Sequence, residues 1–230
     1  MVIVDVLTLF PKMIEAFVQE SILGRAQVEG KLHVRVHNFR DFSLDKHHKV
    51  DDTPYGGGAG MVLQVEPIVR ALRSIEGHQH AHKILLTPSG TPYHQGHAKR
   101  LTQYPHLILI CGHYEGFDER IVHYIDEEIS IGDYVLTGGE AAALVVMESV
   151  VRLHTGVLNN AESTEEESFE DDLLEYPHYT KPMVFEGHEV PEVLRTGHHE
   201  NIRLWRLDQQ LKRTRERRPD LLVKREKKQR

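Results

Sequence analysis

The sequence predicts an α/β protein with a mostly parallel sheet, because short apolar segments alternate along it with segments of helical spacing. Strands that are buried on both faces are near-continuous runs of Ile, Val and Leu, and five such runs occur, each bounded by turn residues. A sheet of this kind is covered by helices on both faces and tends to bind ligands at the carboxyl ends of its strands.

The predicted elements follow in chain order. Pro11 can open the first helix within its first turn, and another helix runs from Glu66-Pro67 to about Ser74. The predicted strands are VIVDVL (2–7), LHVRVH (32–37), HKILL (82–86), HLILIC (106–111) and EISI (128–131). The other helical segments are HQGHAKRLTQ (94–103), FDERIVHYI (117–125) and EAAALVVMESVVRL (140–153).

Composition limits the class of protein. The chain has 230 residues, of which 40% are hydrophobic and 27% charged, so it can bury a sizeable core. It contains no run of eighteen apolar residues and no signal-peptide pattern, and we therefore expect a cytosolic protein that does not contact membranes. Its single cysteine, Cys111, excludes an internal disulfide, and its place in the run LILIC predicts a buried thiol.

Charge is distributed unevenly along the chain. The formal net charge is −7, but residues 195–230 carry 13 Lys and Arg against 5 Asp and Glu. This basic end predicts a polyanionic partner for the C-terminal region. Residues 161–175 carry eight acidic residues and no basic one, a run typical of a solvated linker. We therefore predict domains at 1–157 and 179–230, joined by an acidic flexible linker at 158–178.

Two features resemble common motifs but do not match them. The glycine-rich DTPYGGGAGMVL (52–63) follows a polar loop and has neither the spacing of a dinucleotide fingerprint nor the Gly-Lys-Ser/Thr of a phosphate loop. That this segment is only a flexible surface loop without a ligand remains the alternative interpretation. The histidines at 47–48 and 78–82 lack the spacing of zinc ligands, so we expect no metal site.

The most informative cluster is ICGHYEGFDER (110–120) followed by DEEISIGDYVLTGGE (126–140), in which IGDYVL itself is predicted to be a short buried strand. Each half leads from an apolar strand into glycines at the same edge of the predicted sheet, where backbone groups can bind a ligand. Without a basic residue in SIGDYVLTGGE, a neutral heterocycle fits better than a phosphate. A ligand that carries positive charge would also be tolerated, because the cluster contains four carboxylates: Glu115, Asp118, Asp133 and Glu140. A purely structural strand–turn–helix remains the alternative.

Together, several motifs resemble those of the bacterial tRNA (guanine-N1)-methyltransferases, which belong to a superfamily of knotted, S-adenosylmethionine-dependent RNA methyltransferases. The resemblance extends from DVLTLFP near the N-terminus to RRPDLL near the C-terminus. The motifs that carry it are PYGGGAGMVL, ICGHYEGFDER, SIGDYVLTGGE, SFEDDLLEYPHYTKP and GHHENIRLWR.

The resemblance implies a homodimer whose α/β domain is tied in a deep trefoil knot, with a small all-helical, tRNA-binding C-terminal domain. It also implies that knot loops hold S-adenosylmethionine, mainly through backbone groups. The matching cofactor positions are Leu85, Leu86, Thr87, Pro88, Gly112, Tyr114, Glu115, Gly116, Ser130, Ile131, Gly132, Asp133, Tyr134, Val135, Leu136, Gly138 and Gly139.

The implied reaction is methylation of N1 of guanosine 37, just 3′ of the tRNA anticodon. It needs a base for the N1 proton and a cationic partner for the charge that spreads to O6. The family pattern assigns these roles to Glu167 and Arg152. This chain has glutamate where the family has aspartate, so Asp171, Asp172 or Glu166 could replace Glu167 as the base, and we include Asp171 among the catalytic candidates.

The basic C-terminal region is expected to contact tRNA phosphates, with salt-sensitive binding. The candidate RNA-binding residues are Gly58, His199, Arg203, Arg206, Arg213 and Arg215. Trp205 is predicted to pack in a core rather than to stack on a base. Other departures from the family pattern are Ala142, His154-Thr155 and His198.

Two other functions stay open at this point. One is an RNA-binding protein that kept the scaffold and lost turnover, and the other is a related knotted methyltransferase that acts on a ribose hydroxyl or on ribosomal RNA. The linker and tail motifs favour the tRNA guanine-N1 reaction over the latter.

Overall fold

All five predicted strands form one parallel sheet. The structure is a computed structural model that describes residues 1–158 and 167–228. The strands of this sheet are β1 (Val2–Thr8), β2 (Leu32–Asn38), β5 (His82–Pro92), β6 (His106–Cys111) and β7 (Glu127–Ser130). They lie side by side in the order β2-β1-β6-β5-β7. Two short strands, β3 (Asp51–Asp52) and β4 (Val62–Leu63), pair antiparallel with each other.

Helices cover both faces of the sheet, as predicted. On one face pack α1 (Pro11–Val18), α2 (Ser21–Val28), α4 (Gln95–Leu101) and α5 (Glu140–Val151). The other face is covered by α3 (Val65–Ser74) together with 3-10 turns at Phe39–Phe42 and Glu119–Tyr124. Alternate residues of β6 enter the two cores, so that all six are buried.

Cys111 is the last residue of β6 and is buried, which confirms the predicted internal thiol. Burial raises the pKa of this thiol well above its usual range, and the nearby negative charge of Glu140 raises it further. The thiolate needed for nucleophilic chemistry is therefore disfavoured at Cys111.

Three local predictions differ from the structure. The segment IGDYVL is a loop, because β7 is an edge strand whose pairing with β5 ends at Ser130. FDERIVHYI forms a 3-10 turn that begins after Asp118, whose carboxylate accepts from the Arg120 N–H, instead of a regular helix. Helix α2 was not predicted from its weakly periodic sequence.

The chain divides into two compact units, Met1–Asn159 and Asn160–Arg230. In the second unit, α6 (His199–Arg217) and α7 (Pro219–Lys228) confirm the predicted helical C-terminal region. The structure adds a short hairpin there, formed by β8 (Val184–Phe185) and β9 (His188–Glu189). No helix within the described ranges is both long enough and apolar enough to span a bilayer.

The predicted linker, 158–178, falls partly outside the described residues, at 159–166, and this gap includes the alternative base Glu166. Residues 167–178 of this segment belong to the second unit, and the linker assignment stays a prediction. Leu173 and Tyr176 are buried there, and the Leu174 N–H donates to the side chain of Thr214 on α6. The trefoil knot stays a prediction.

Candidate active site

Three segments at the carboxyl edge of the sheet enclose one pocket, here called the sheet-edge pocket. They are residues 86–88 of β5, residues 112–117 after β6, and residues 129–139 around the end of β7. Parallel strands bring their carboxyl ends to the same edge, which is where the sequence predicted a ligand site.

Most of the predicted cofactor residues line this pocket. Fifteen of the seventeen do so, and the two exceptions are Leu85 and Asp133. Leu85 points to the opposite face of its strand and is buried in the core beside α3, whereas Asp133 is exposed. The pocket also includes five residues that were not predicted, all within or beside the quoted motifs: His113, Phe117, Ile129, Thr137 and Ala142.

Gly139 marks a close crossing of two of these loops. A Cβ atom on Gly139 would lie 2.8 Å from both the Cα of Cys111 and the N atom of Gly112. The Gly139 N–H donates to the Gly112 carbonyl at 2.9 Å, and Gly138 pairs with His113 beside it. The glycines of TGGE therefore allow backbone to pass against backbone, a role that requires no phosphate.

The loop after β6 is held against the end of the glycine-rich segment. The Glu115 N–H donates to the Met61 carbonyl at 3.0 Å, and the Leu63 N–H donates to the Gly116 carbonyl at 2.9 Å. Gly60 packs so closely on the Glu115 side chain that a Cβ there would lie 2.4 Å from its Cγ. The segment DTPYGGGAGMVL thus supports one wall of the pocket, while Gly58 is exposed and outside its lining.

The electrostatics of the pocket are simple. Among the described residues no Lys or Arg lines it, and of the four carboxylates noted in the sequence only Glu115 does. Asp118 pairs with Arg120, and Glu140 is buried and accepts a hydrogen bond from Thr8 at 2.6 Å. The pocket therefore suits a neutral or cationic ligand better than a phosphate.

The walls of the pocket combine apolar side chains with available backbone groups. Within the described residues, the N–H groups of Ile131 and Leu136 have no hydrogen-bond partner. Apolar surface comes from Leu86, Phe117, Ile129, Val135, Leu136 and Ala142. A flat heterocycle that presents acceptors to these N–H groups fits such a lining.

The second unit contains another pocket, here called the helix pocket, which brings predicted catalytic and RNA-binding residues together. Glu167 and Asp171 line it with three basic residues of α6, namely His199, Arg203 and Arg206. The Arg206 guanidinium also lies over the ring of Tyr176, 4.5 Å from its centroid.

The other candidates of the second unit have different surroundings. Asp172 is buried, with one carboxylate oxygen 3.7 Å from the Nζ of Lys224 on α7, so it does not face the helix pocket. Arg213 is half-buried and donates to the Glu175 carbonyl, while Arg215 is exposed. Trp205 is half-buried near Tyr179, with ring centroids 6.4 Å apart.

Arg152 lies in the first unit, directly after α5, and is half-buried. Its N–H donates to the Glu148 carbonyl and continues the helical pattern by one residue. Two residues further, burial lowers the pKa of His154, and the nearby N-terminal charge lowers it further. His154 is therefore a neutral side chain in the neutral pH range.

The fold and the two pockets together define an α/β enzyme with a ligand site at the carboxyl edge of its sheet and a basic helical unit suited to a polyanion. Known proteins identify the family. A family model described as tRNA (Guanine-1)-methyltransferase TrmD matches residues 2–224, so the chain belongs to this family.

Three relatives show how close the similarity is. Each is named tRNA (guanine-N(1)-)-methyltransferase. The protein from Brevibacillus brevis is 56% identical over 222 residues, which cover 96% of this chain and 91% of the relative. The protein from Clostridium novyi is 54% identical over 218 residues, covering 95% and 90%. The protein from Carboxydothermus hydrogenoformans is 54% identical over 220 residues, covering 95% and 87%. The resemblance inferred from the motifs is thus confirmed.

Proposed function

We propose that this chain transfers a methyl group from S-adenosylmethionine to N1 of guanosine 37 in tRNA. The observation that carries the proposal is the sheet-edge pocket of this family member. Glycines cross at its wall, no Lys or Arg of the described residues lines it, and it offers backbone N–H groups. We further propose that the protein works in the cytoplasm.

S-adenosylmethionine supplies an electrophilic methyl group on a sulfonium centre when it is bound. Ile131 and Leu136 would donate their N–H groups to its adenine, with apolar side chains on either side of the ring. The Glu115 carboxylate lines the same pocket and would favour the positive charges of the sulfonium and the amino group. Because Gly139 leaves no room for a side chain, the two crossing loops pack backbone against backbone at the pocket wall.

The chemistry of the guanine base requires two further groups. N1 carries a proton at neutral pH, and we propose that the Glu167 carboxylate accepts it as the methyl group arrives. The electron pair of the N–H bond would form the new bond from N1 to the methyl carbon, while the pair of the broken S–CH3 bond would stay on sulfur. Arg152 would stabilise the negative charge that spreads towards O6 as the proton leaves. Asp171 lines the helix pocket with Glu167 and is the alternative base, whereas the burial of Asp172 makes it a poor candidate.

The partner assignments rest on the surface of each unit. We propose that α6 binds tRNA phosphates through Arg203, Arg206 and their neighbours, and that the chain forms a homodimer. The homodimer is supported by exposed apolar side chains on α1 and α5, among them Met13, Phe17 and Val145. We also propose the division into a cofactor domain, a connecting segment and a tRNA-binding domain.

The proposal is tested with labelled S-adenosylmethionine and two tRNA transcripts that carry guanine or adenine at position 37. Label should enter only the first transcript. Glu167→Gln should abolish transfer and leave cofactor binding, measured by calorimetry, unchanged. Glu175→Gln is the matched control, because Glu175 lies in the same acidic segment but pairs with His178 and is outside the helix pocket.

Three outcomes would contradict parts of the proposal. Binding of tRNA without any transfer would indicate an RNA-binding protein that has lost turnover. Transfer to the adenine transcript would place the reaction on another base or on a ribose. Normal transfer by Glu167→Gln would move the base to Asp171.

A further inference from the structure

The segment that contains the proposed base has an unusual backbone. Phe169, Asp171 and Asp172 have positive φ angles of 77°, 48° and 57°. Such conformations are unfavourable for residues with side chains and persist only where surrounding contacts impose them. The contacts that hold residues 167–176 therefore determine where the carboxylates of Glu167 and Asp171 lie.

Part of the constraint lies within the segment itself. The Phe169 N–H donates to the Leu173 carbonyl at 2.7 Å, and the Glu175 N–H donates to the Ser168 hydroxyl at 3.1 Å. These bonds close residues 168–175 into a compact loop. They do not attach that loop to the rest of the second unit.

One attachment of this loop to the rest of the second unit is a buried hydroxyl on α6. Thr214 is fully buried, and its Oγ1 accepts a hydrogen bond from the Leu174 N–H at 2.8 Å. The same hydroxyl donates to the Gln210 carbonyl at 2.7 Å, so both its donor and its acceptor functions are used. Next to it, Arg213 donates to the Glu175 carbonyl at 3.3 Å.

We propose that Thr214 is a positioning residue for methyl transfer, which holds the segment 167–176 on α6 so that its carboxylate meets the target base. Thr214 does not line the helix pocket and would act only through the segment. Because the hydroxyl is buried, a side chain without it leaves the Leu174 N–H without its acceptor. The loop is then held less firmly on the helix, and small displacements of a reacting group reduce rates strongly.

This inference rests on the proposed function, and the experiment separates the two. The rate of transfer to the guanine-37 transcript is measured at saturating cofactor and tRNA for the wild type, Thr214→Val and Thr214→Ser. Valine keeps the volume and removes the hydroxyl, while serine keeps the hydroxyl. Thr196→Val is the matched control, since the exposed Thr196 hydroxyl also donates to a backbone carbonyl, that of Val193, but does not contact the segment.

We expect Thr214→Val to lower kcat about ten-fold or more, with KM and Kd for S-adenosylmethionine within about two-fold of the wild type. Thr214→Ser should restore most of the rate, and Thr196→Val should have the wild-type rate. If Thr214→Val does not fold, as judged by circular dichroism, Ser168→Ala removes the half-buried hydroxyl that accepts from the Glu175 N–H, next to Leu174, and should also lower kcat selectively.

Two results would overturn the inference while leaving the proposed function intact. One is a wild-type kcat in folded Thr214→Val, or in Ser168→Ala where the valine variant does not fold. The other is an equal loss in the serine and valine variants. A wild-type protein that transfers no methyl group contradicts the proposed function instead.

Discussion

The Thr8 hydroxyl donates to the Glu140 carboxylate at 2.6 Å, and both side chains are buried. This bond joins the end of β1 to the first turn of α5, across 132 residues of sequence. The Thr8 oxygen also accepts from the Phe10 N–H at 2.8 Å. The other Glu140 oxygen lies beside Gly138, which lines the sheet-edge pocket. The bond thus connects the pocket wall to the centre of the sheet.

Replacing Thr8 by valine should therefore destabilise the first unit. The change leaves a buried carboxylate without its donor, and we expect the free energy of unfolding to fall by about 2 kcal/mol. Urea denaturation measures this. Thr53→Val is the matched control, because the Thr53 hydroxyl is exposed and 3.5 Å from Asp52, and its effect should stay within about 0.5 kcal/mol. Equal effects of the two changes would show that the Thr8 bond adds nothing.

Gly139→Ala should disrupt the sheet-edge pocket. The backbone of Gly139 has an ordinary negative φ of −83°, so space alone opposes a side chain there. The new side chain would force the two crossing loops apart, which should lower the free energy of unfolding by roughly 1–3 kcal/mol. It should also weaken cofactor binding, measured by calorimetry. Gly96→Ala is the control, because it lies outside the pocket lining and its new Cβ would meet the His94 ring but no backbone atom. Tight cofactor binding by Gly139→Ala would mean that the crossing does not shape the pocket.

Asp5 should make the stability of the protein depend on acid pH. Burial alone would raise the pKa of Asp5, but hydrogen bonds with His37, Arg35 and His106 outweigh it and hold the pKa below its usual value. A carboxyl group whose pKa is lowered by folding stabilises the protein fully above its unfolded pKa of about 4 and loses this contribution as the pH falls further.

Asp5→Asn tests this sign. At pH 7 the variant should be less stable by roughly 3 kcal/mol, because Arg35 loses its buried partner. The difference from the wild type should shrink as the pH falls below about 4. The matched control is Glu66→Gln, which removes the partner of Arg70 in an exposed i,i+4 pair. Its free energy of unfolding should fall by about 0.5 kcal/mol or less. Denaturation curves between pH 3 and pH 7 measure the stability of both variants. A difference between Asp5→Asn and the wild type that stays constant over that range would contradict a lowered pKa of Asp5.

The strands could be predicted because most of them are rich in Ile, Val and Leu, most clearly β6, whose six residues are all buried between the two helical layers. The same property explains why IGDYVL was wrongly predicted to be a strand. Its composition is that of a strand, but it follows the last pairing of β7, and composition does not reveal whether a partner strand is available. Its exposed Tyr134, Val135 and Leu136 line a pocket instead of entering a core.

The site could be predicted only in part from the residues themselves. Glycines at two strand ends and the lack of basic residues indicated a non-phosphate ligand, while the residue-by-residue assignment needed the family resemblance. Contacts between distant segments could be predicted neither from the residues themselves nor from the family resemblance. Leu174 and Thr214 are 40 residues apart, and neither has a local pattern that specifies its partner. The burial that makes their hydrogen bond important exists only after α6 has packed against the segment.

Exposed arginines of α6 should contribute to tRNA binding through charge alone. Arg215 is exposed near the end of α6, whereas the half-buried Arg213 also supports the segment 167–176. Each phosphate contact that is lost reduces the slope of log K against log salt by about 0.7–0.9. Arg215→Ala should show this reduction with unchanged thermal stability and an unchanged kcat at saturating tRNA.

Arg25→Ala provides the comparison for Arg215, because it removes the same charge from an exposed position on α2 of the first unit. The salt slope of tRNA binding, measured by filter binding between 50 and 200 mM salt, should be that of the wild type in this variant. If both variants reduce the slope equally, the tRNA responds to total charge and α6 is not a distinct binding surface. A reduced slope in Arg215→Ala alone supports phosphate binding by α6, since a general change in net charge would act equally in both units.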